Sequence, residues 1–130
     1  MSNAARVLIV SANQRMIGEI EGYLKRMCRE DKIITANTEE EARTLFMEHF
    51  ETLQLIFSDE LPETNVHIFI KQITESAQRG LLIACSDNPT ANQFLQMSGC
   101  REIFDHEHPQ SLYLNVHHYL QKDPSPFVQA

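Results

Sequence analysis

Several residue types are scarce in this sequence, and each shortage narrows what the protein can be. There are three cysteines in 130 residues, Cys28, Cys85 and Cys100. An odd, widely spaced set with no metal-ligand spacing reads as reduced thiols rather than as a disulfide framework, and a cytoplasmic protein is expected. The four glycines are scattered, so no Gly-rich loop is present to cradle a phosphate. Positive charge is short as well: 11 Lys and Arg stand against 18 Asp and Glu, a net charge of −7. With no basic patch, neither nucleic acid nor an anionic membrane surface is an expected partner. No apolar run approaches the roughly 20 residues that cross a bilayer, and no secretory signal is read. Repeats and low-complexity segments are lacking too, and no nucleophile–base spacing points to an enzyme.

What is present suffices for a core. Hydrophobic residues make up 42% of the chain, ordinary for a globular domain. A chain of this length buries roughly two thirds of its unfolded surface, so one domain can fold without disulfide or metal. Residues 1–4 read as a tag remnant or a disordered start. Residues 5–121 read as the domain. Residues 122–130, with Pro124 and Pro126 among polar neighbours, read as a tail or the start of a linker.

Strand-like apolar runs alternate five times with helical patterns. Val7-Leu8-Ile9-Val10 is short, β-branched and continuous, as suits a strand covered on both faces. Ile17, Ile20, Leu24 and Met27 follow at helical spacing. Lys32 to Thr35 is a second strand. Thr38-Glu39-Glu40-Glu41 is a capping box, a hydroxyl for the first free amides with a glutamate three residues on. Ala42, Leu45, Phe46 and His49 then mark one face. Leu55-Ile56-Phe57 is a third strand that stops at Ser58-Asp59-Glu60. Val66, Phe69, Ile70 and Ile73 predict a third helix, and Leu81 to Cys85 a fourth strand with Cys85 in the core. Asn88-Pro89 is a cap followed by proline at the first helical position. Glu102-Ile103-Phe104 is a weak fifth strand, and Pro109 opens a last helix with Leu112, Val116 and Tyr119 or Leu120 inward. Alternation of this kind implies βαβ crossovers, a parallel sheet and helices on both faces. Ligands of such sheets bind outside the carboxyl ends of the strands. The residues to inspect are therefore Ser11-Ala12-Asn13, Ser58-Asp59-Glu60, Ser86-Asp87 and Asp105-His106.

Four of these segments, "RVLIVSAN", "LIFSDELP", "LLIACSDN" and "GCREIFDH", resemble in order and separation the response-regulator receiver domain (CheY-like) of two-component signalling, over residues 5 to 121. The resemblance implies a three-layer, doubly wound α/β fold (flavodoxin-like) with strand order 2-1-3-4-5. Such domains hold Mg²⁺ with two acids after the first strand and accept a phosphoryl group on an aspartate after the third. A hydroxyl after the fourth strand contacts the phosphoryl group, and a lysine after the fifth neutralises it. That chemistry rests on hard oxygen ligands and on cations meeting developing charge.

Here the acid pair aligns with Ser11 and Ala12, with Asn13 adjacent. Ser86 keeps the phosphate-contact position, and His106 takes the lysine's. The family's aromatic switch position aligns with Ile103, next to Phe104. Counting along the strand places the acceptor at Asp59, whereas counting back from Leu61-Pro62 places it at Ser58. A one-residue shift turns a strand side chain to the opposite face, so the two are exclusive. Asp59 is favoured, with one residue missing from the loop, since loops lose residues more readily than buried strands.

The resemblance therefore implies a degenerate receiver that acts by protein contact, without catalysis and without a cofactor. Its partner would be a histidine kinase or an output domain, or a second copy through the last helix face. One alternative is an active receiver phosphorylated on Asp59, the only reading that needs Mg²⁺. Another is a small-molecule site built from Ser11, Asn13, Ser58 and Ser86. His106 and His108 flank Glu107, but two imidazoles do not make a metal site.

Overall fold

In the computed structural model, residues 5–27, 32–61 and 80–121 are described. Five strands, β1 (Ala5–Val10), β2 (Lys32–Ala36), β3 (Leu55–Ser58), β4 (Leu81–Ala84) and β5 (Glu102–Ile103), form one sheet. Their order is β2-β1-β3-β4-β5, and every pairing is parallel. The described helices are α1 (Gln14–Lys25), α2 (Glu39–His49), α3 (Pro89–Ser98) and α4 (Tyr113–Leu120). A short 3₁₀ turn, Pro109–Leu112, leads into α4. The helix expected around Val66 to Ile73, like Cys28, lies outside the described residues.

The central strands are buried and almost wholly apolar because helices cover both faces of the sheet. On one face Val7, Ile9, Leu55, Phe57 and Ile83 pack against Met16, Ile20 and Leu24 of α1 and Val116 and Leu120 of α4. On the other, Leu8, Val10, Ile56, Leu82 and Ala84 pack against Ala42 and Phe46 of α2 and Leu95 of α3. Alternate residues of each strand point to opposite faces, so a run that is apolar at every position gives two cores. Tyr23, Phe57 and Phe104 meet edge to face on the α1/α4 side, with ring centroids 5.2 Å and 6.0 Å apart.

Local chemistry fixes the helix starts. The Asn13 side chain accepts from the backbone of Arg15 and Met16, and Asn88 accepts from Thr90 ahead of Pro89. Thr38 accepts from the Glu41 N–H. The Glu41 carboxylate reaches one residue further back than the usual capping box, to the Asn37 N–H at 2.7 Å. Helix α3 ends at Gly99, whose φ of 138° is a conformation that favours glycine. Of the apolar residues on α3, Leu95 is buried, while Phe94 and Met97 are 63% and 81% exposed.

Ser58 is the one polar side chain among the buried strand positions of β3. Its hydroxyl is fully buried and has no hydrogen-bond partner. A buried donor left unmade is destabilising by about 1–3 kcal/mol. Ser58→Ala is therefore expected to raise stability by about 1 kcal/mol, seen as a higher urea midpoint with unchanged slope. A lower midpoint would show that the hydroxyl contributes a favourable interaction.

Candidate functional site

The register of the sheet builds the site. Val10 pairs with Ser58 and Ser58 with Ala84, so Ser11, Asp59 and Cys85 leave the sheet side by side. The ladder runs one step further, with the Asp59 N–H donating to Val10 O at 2.8 Å and the Cys85 N–H to Ser58 O at 2.9 Å. Above these ends lies a crevice of about 650 Å³, lined by Ala12, Asn13, Met16, Asp59, Glu60, Leu61, Ser86, Asp87 and Asn88. Asp59 lines it, 7% exposed. Ser58 does not; its side chain alternates to the other face of β3.

Both oxygens of the Asp59 carboxylate are taken. The Ser11 hydroxyl donates to Oδ2 at 2.7 Å, and the Glu60 N–H donates to Oδ1 at 2.8 Å. Burial raises the Asp59 pKa above its ordinary value. The Ser11 and Glu60 hydrogen bonds and the nearby Ser86 hydroxyl oppose that shift, and the Glu60 charge adds to it. Ser11 is itself fixed: its N–H donates to Ala36 O at 2.9 Å, and its Oγ accepts from the Asn13 N–H at 3.0 Å. Serine thus faces Asp59 as a neutral donor.

Ser86 is held as tightly. Its N–H donates to Asn92 Oδ1, and the Asn92 amide donates back to Ser86 O, each at 2.9 Å. Its hydroxyl accepts from the Asn88 N–H at 3.0 Å and points to Glu60 Oε1 at 3.5 Å.

His106 is turned away from this crevice. Its Nδ1 lies 2.9 Å from Glu19 Oε2, on α1. Its Nε2 lies 3.1 Å from the Cys85 carbonyl and 3.6 Å from Asp87 Oδ1. Burial alone would lower its pKa, but hydrogen bonds to Glu19 and the Cys85 carbonyl, with the Glu19 and Asp87 charges, outweigh that and raise it. Arg15 completes the network, 2.9 Å from Asp87 Oδ2 and 3.8 Å from Glu19. His108 is exposed and apart from it.

Magnesium is what the receiver likeness calls for at the end of β1. The donors there do not fit it. Ala12 offers no ligand, the Ser11 hydroxyl is committed to Asp59, and the Asn13 amide oxygen caps α1. Among the described residues no group of three or more His, Cys, Asp or Glu is arranged to hold a metal ion. The neutral groups expected to bind a small molecule are likewise reduced, since Ser58 lies off the crevice and Ser11 is engaged. Cys85 and Cys100 are buried free thiols. Burial pushes both pKa values up, to about 12 for Cys100, so neither is a ready nucleophile.

Sequence reasoning marked the strand ends but missed Glu19, Arg15 and Asn92. For the first two a signal existed: they form an i, i+4 ion pair on the first turns of α1. For Asn92 the signal was weaker, a polar residue where the helix turns inward.

No family model matches the chain, and no curated protein does. Solved structures do. The receiver domain of the histidine kinase CKI1 from Arabidopsis thaliana aligns with a TM-score of 0.68 at 18% identity, over 88% of this chain and 90% of that one. The chemotaxis response regulator CheY4 of Vibrio cholerae aligns with a TM-score of 0.66 at 18% identity, over 90% and 99%. The chain has the receiver-domain fold. A two-component response regulator from Legionella pneumophila gives 0.67 at 13% identity, over 88% and 98%. In receiver terms, Asp59 sits after the third strand, Ser86 after the fourth and His106 after the fifth. Ser11 and Ala12 follow the first strand. Among the described residues no helix is long and apolar enough to cross a membrane.

The raised Asp59 pKa gives a signed prediction. Asp59 titrates near 3.8 when unfolded and higher when folded. Its buried charge therefore destabilises the fold fully above the folded value and not at all well below 3.8. Asp59→Asn is expected to raise the urea midpoint at neutral pH, with the gain shrinking as the pH falls through that window. A gain that persists in acid, or a loss at neutral pH, would contradict it.

Proposed function

We propose that this chain is a receiver-like signalling module, a pseudo-receiver, that acts by protein–protein contact and without ordinary Mg²⁺-dependent aspartyl phosphorylation. The observation that carries this reading is the hydrogen bond from Ser11 to Asp59. At the position where receivers use acids to hold a cation, this chain has a hydroxyl that satisfies the aspartate directly. A second departure supports it: His106, at the lysine's position, bonds Glu19 and the Cys85 carbonyl instead of reaching the crevice. The module carries no reaction of its own and works in the cytoplasm with a signalling partner, a histidine kinase or an output domain. Phe94 and Met97 on α3 and Leu114 on α4 are largely exposed and suit contact with that partner or with a second copy.

One observation favours the alternative of an active receiver. Asp59, not Ser58, lines the crevice, with Ser86 beside it. The two readings separate in an amide NMR titration with Mg²⁺ and beryllofluoride, a mimic of the phosphoryl group on aspartate. The pseudo-receiver predicts no saturable shifts at Asn13, Asp59, Ser86 or His106 at millimolar Mg²⁺. Saturable shifts that Asp59→Asn abolishes and Ser58→Ala spares would establish the active receiver in its place.

A further inference from the structure

His106 has an acceptor at each ring nitrogen: a carboxylate oxygen at Nδ1 and a backbone carbonyl at Nε2. A neutral imidazole carries one N–H and can satisfy only one of them. The other nitrogen would then present a lone pair to an oxygen about 3 Å away. Only the imidazolium, with two N–H groups, fits both acceptors at once.

The anchors belong to different parts of the fold. Glu19 lies on α1, while Cys85 and Asp87 follow β4. His106 itself belongs to the loop of residues 105–108 that joins β5 to the 3₁₀ turn. That loop is otherwise held mainly by its own Asp105, whose Oδ1 accepts from the Glu107 and His108 N–H groups. Phe104 meets the imidazole edge to face, with centroids 4.9 Å apart. Ser86 and Asp87 line the Asp59 crevice. They also line a second groove of about 800 Å³, whose other walls include Asn92 and Gln93 of α3 and Asp105, His106 and Glu107 of the loop. The imidazolium thus ties one wall of this groove to the rim of the crevice.

We propose that His106 is a proton-operated latch: its imidazolium holds the 105–108 loop against α1 and the end of β4, and loss of the proton frees the loop and reshapes the groove beside α3. The ligand is the proton itself, and the latch works whether or not Asp59 accepts a phosphoryl group. The charged and titratable groups around the ring and its groove are Glu19 and Arg15 from α1, Asp87 after β4, Arg101 and Glu102 at β5, and Asp105 and Glu107 from its own loop. The α3 side contributes neutral Asn92 and Gln93. The net surroundings are acidic and favour the cation. The sign of the linkage follows. The latch stabilises the fold fully below the ordinary imidazole value of 6.5 and loses that contribution as the pH rises through the higher folded value.

The test is an imidazole ¹⁵N and amide NMR titration of the full chain from about pH 5.5 to about 9, at constant salt, with Glu19→Gln and His106→Gln alongside. In the unaltered chain both His106 ring nitrogens are expected to be protonated at neutral pH. The ring should titrate above 6.5, and the amides of Glu19, Asp87, Asn92 and Glu107 should shift with the same midpoint. Glu19→Gln should move that midpoint down, and His106→Gln should abolish the amide response. The proposal is overturned if His106 is a neutral tautomer at pH 7, or if its titration moves no amide beyond residues 105–107. It is equally overturned if Glu19→Gln leaves the midpoint in place, a result that decides the matter even if His106→Gln does not fold.

Discussion

The parallel pairing of β1 with β3 is the constraint on which everything above the sheet depends. With Val10 opposite Ser58, the next residue of each strand emerges at the same level, and the Asp59 N–H closes the last rung on Val10 O. A hydroxyl and a carboxylate are then neighbours by backbone geometry alone. A slip of one residue would send Asp59 to the opposite face and put Ser58 in its place. The β3–β4 pairing extends the same level to Cys85 and Ser86, which is why residues 48 and 75 positions from Ser11 share one rim with it.

Hydrogen bonds from neutral groups hold the carboxylate inside the crevice, and ionic contacts dominate just outside it, beyond Asp87. Around Ser11, Asn13 and Asp59 the donors are neutral and short-ranged, and they hold a carboxylate that burial disfavours. Around Glu19, Arg15, Asp87 and His106 the contacts are ionic, partly exposed and open to screening by salt. The first set is a fixed arrangement. The second depends on protonation, and Asp87 belongs to both neighbourhoods.

The fold was legible because its signals are redundant. Five apolar runs, each ended by polar residues and separated by helical periodicities, specify a covered parallel sheet almost independently of which helix faces which. The caps at Thr38 and Asn88 were legible too, being local in sequence. The register at Ser58-Asp59 was not, since both residues suit a strand end and only the pairing partner of Val10 decides between them. The destination of His106 was hidden for another reason: its partner Glu19 lies 87 residues away, on a helix whose polar face carries no mark of which glutamate turns toward the sheet. The strand position suggested a lysine substitute facing the aspartate, and an acidic neighbour on α1 captured the ring first.

Phe104 has a consequence for how this face can transmit anything. It is buried to 1% exposure between Tyr23 and Phe57, and the partly buried residue before it on β5 is the aliphatic Ile103. Swinging Phe104 outward would forfeit its burial, worth about 1.5–3 kcal/mol, along with its edge-to-face contacts to Tyr23, Phe57 and His106. The ring is therefore a fixed pivot rather than a pointer. Any rearrangement on this side would then fall to the backbone around that ring, and a binding partner would sense the position of a segment rather than the orientation of an aromatic side chain.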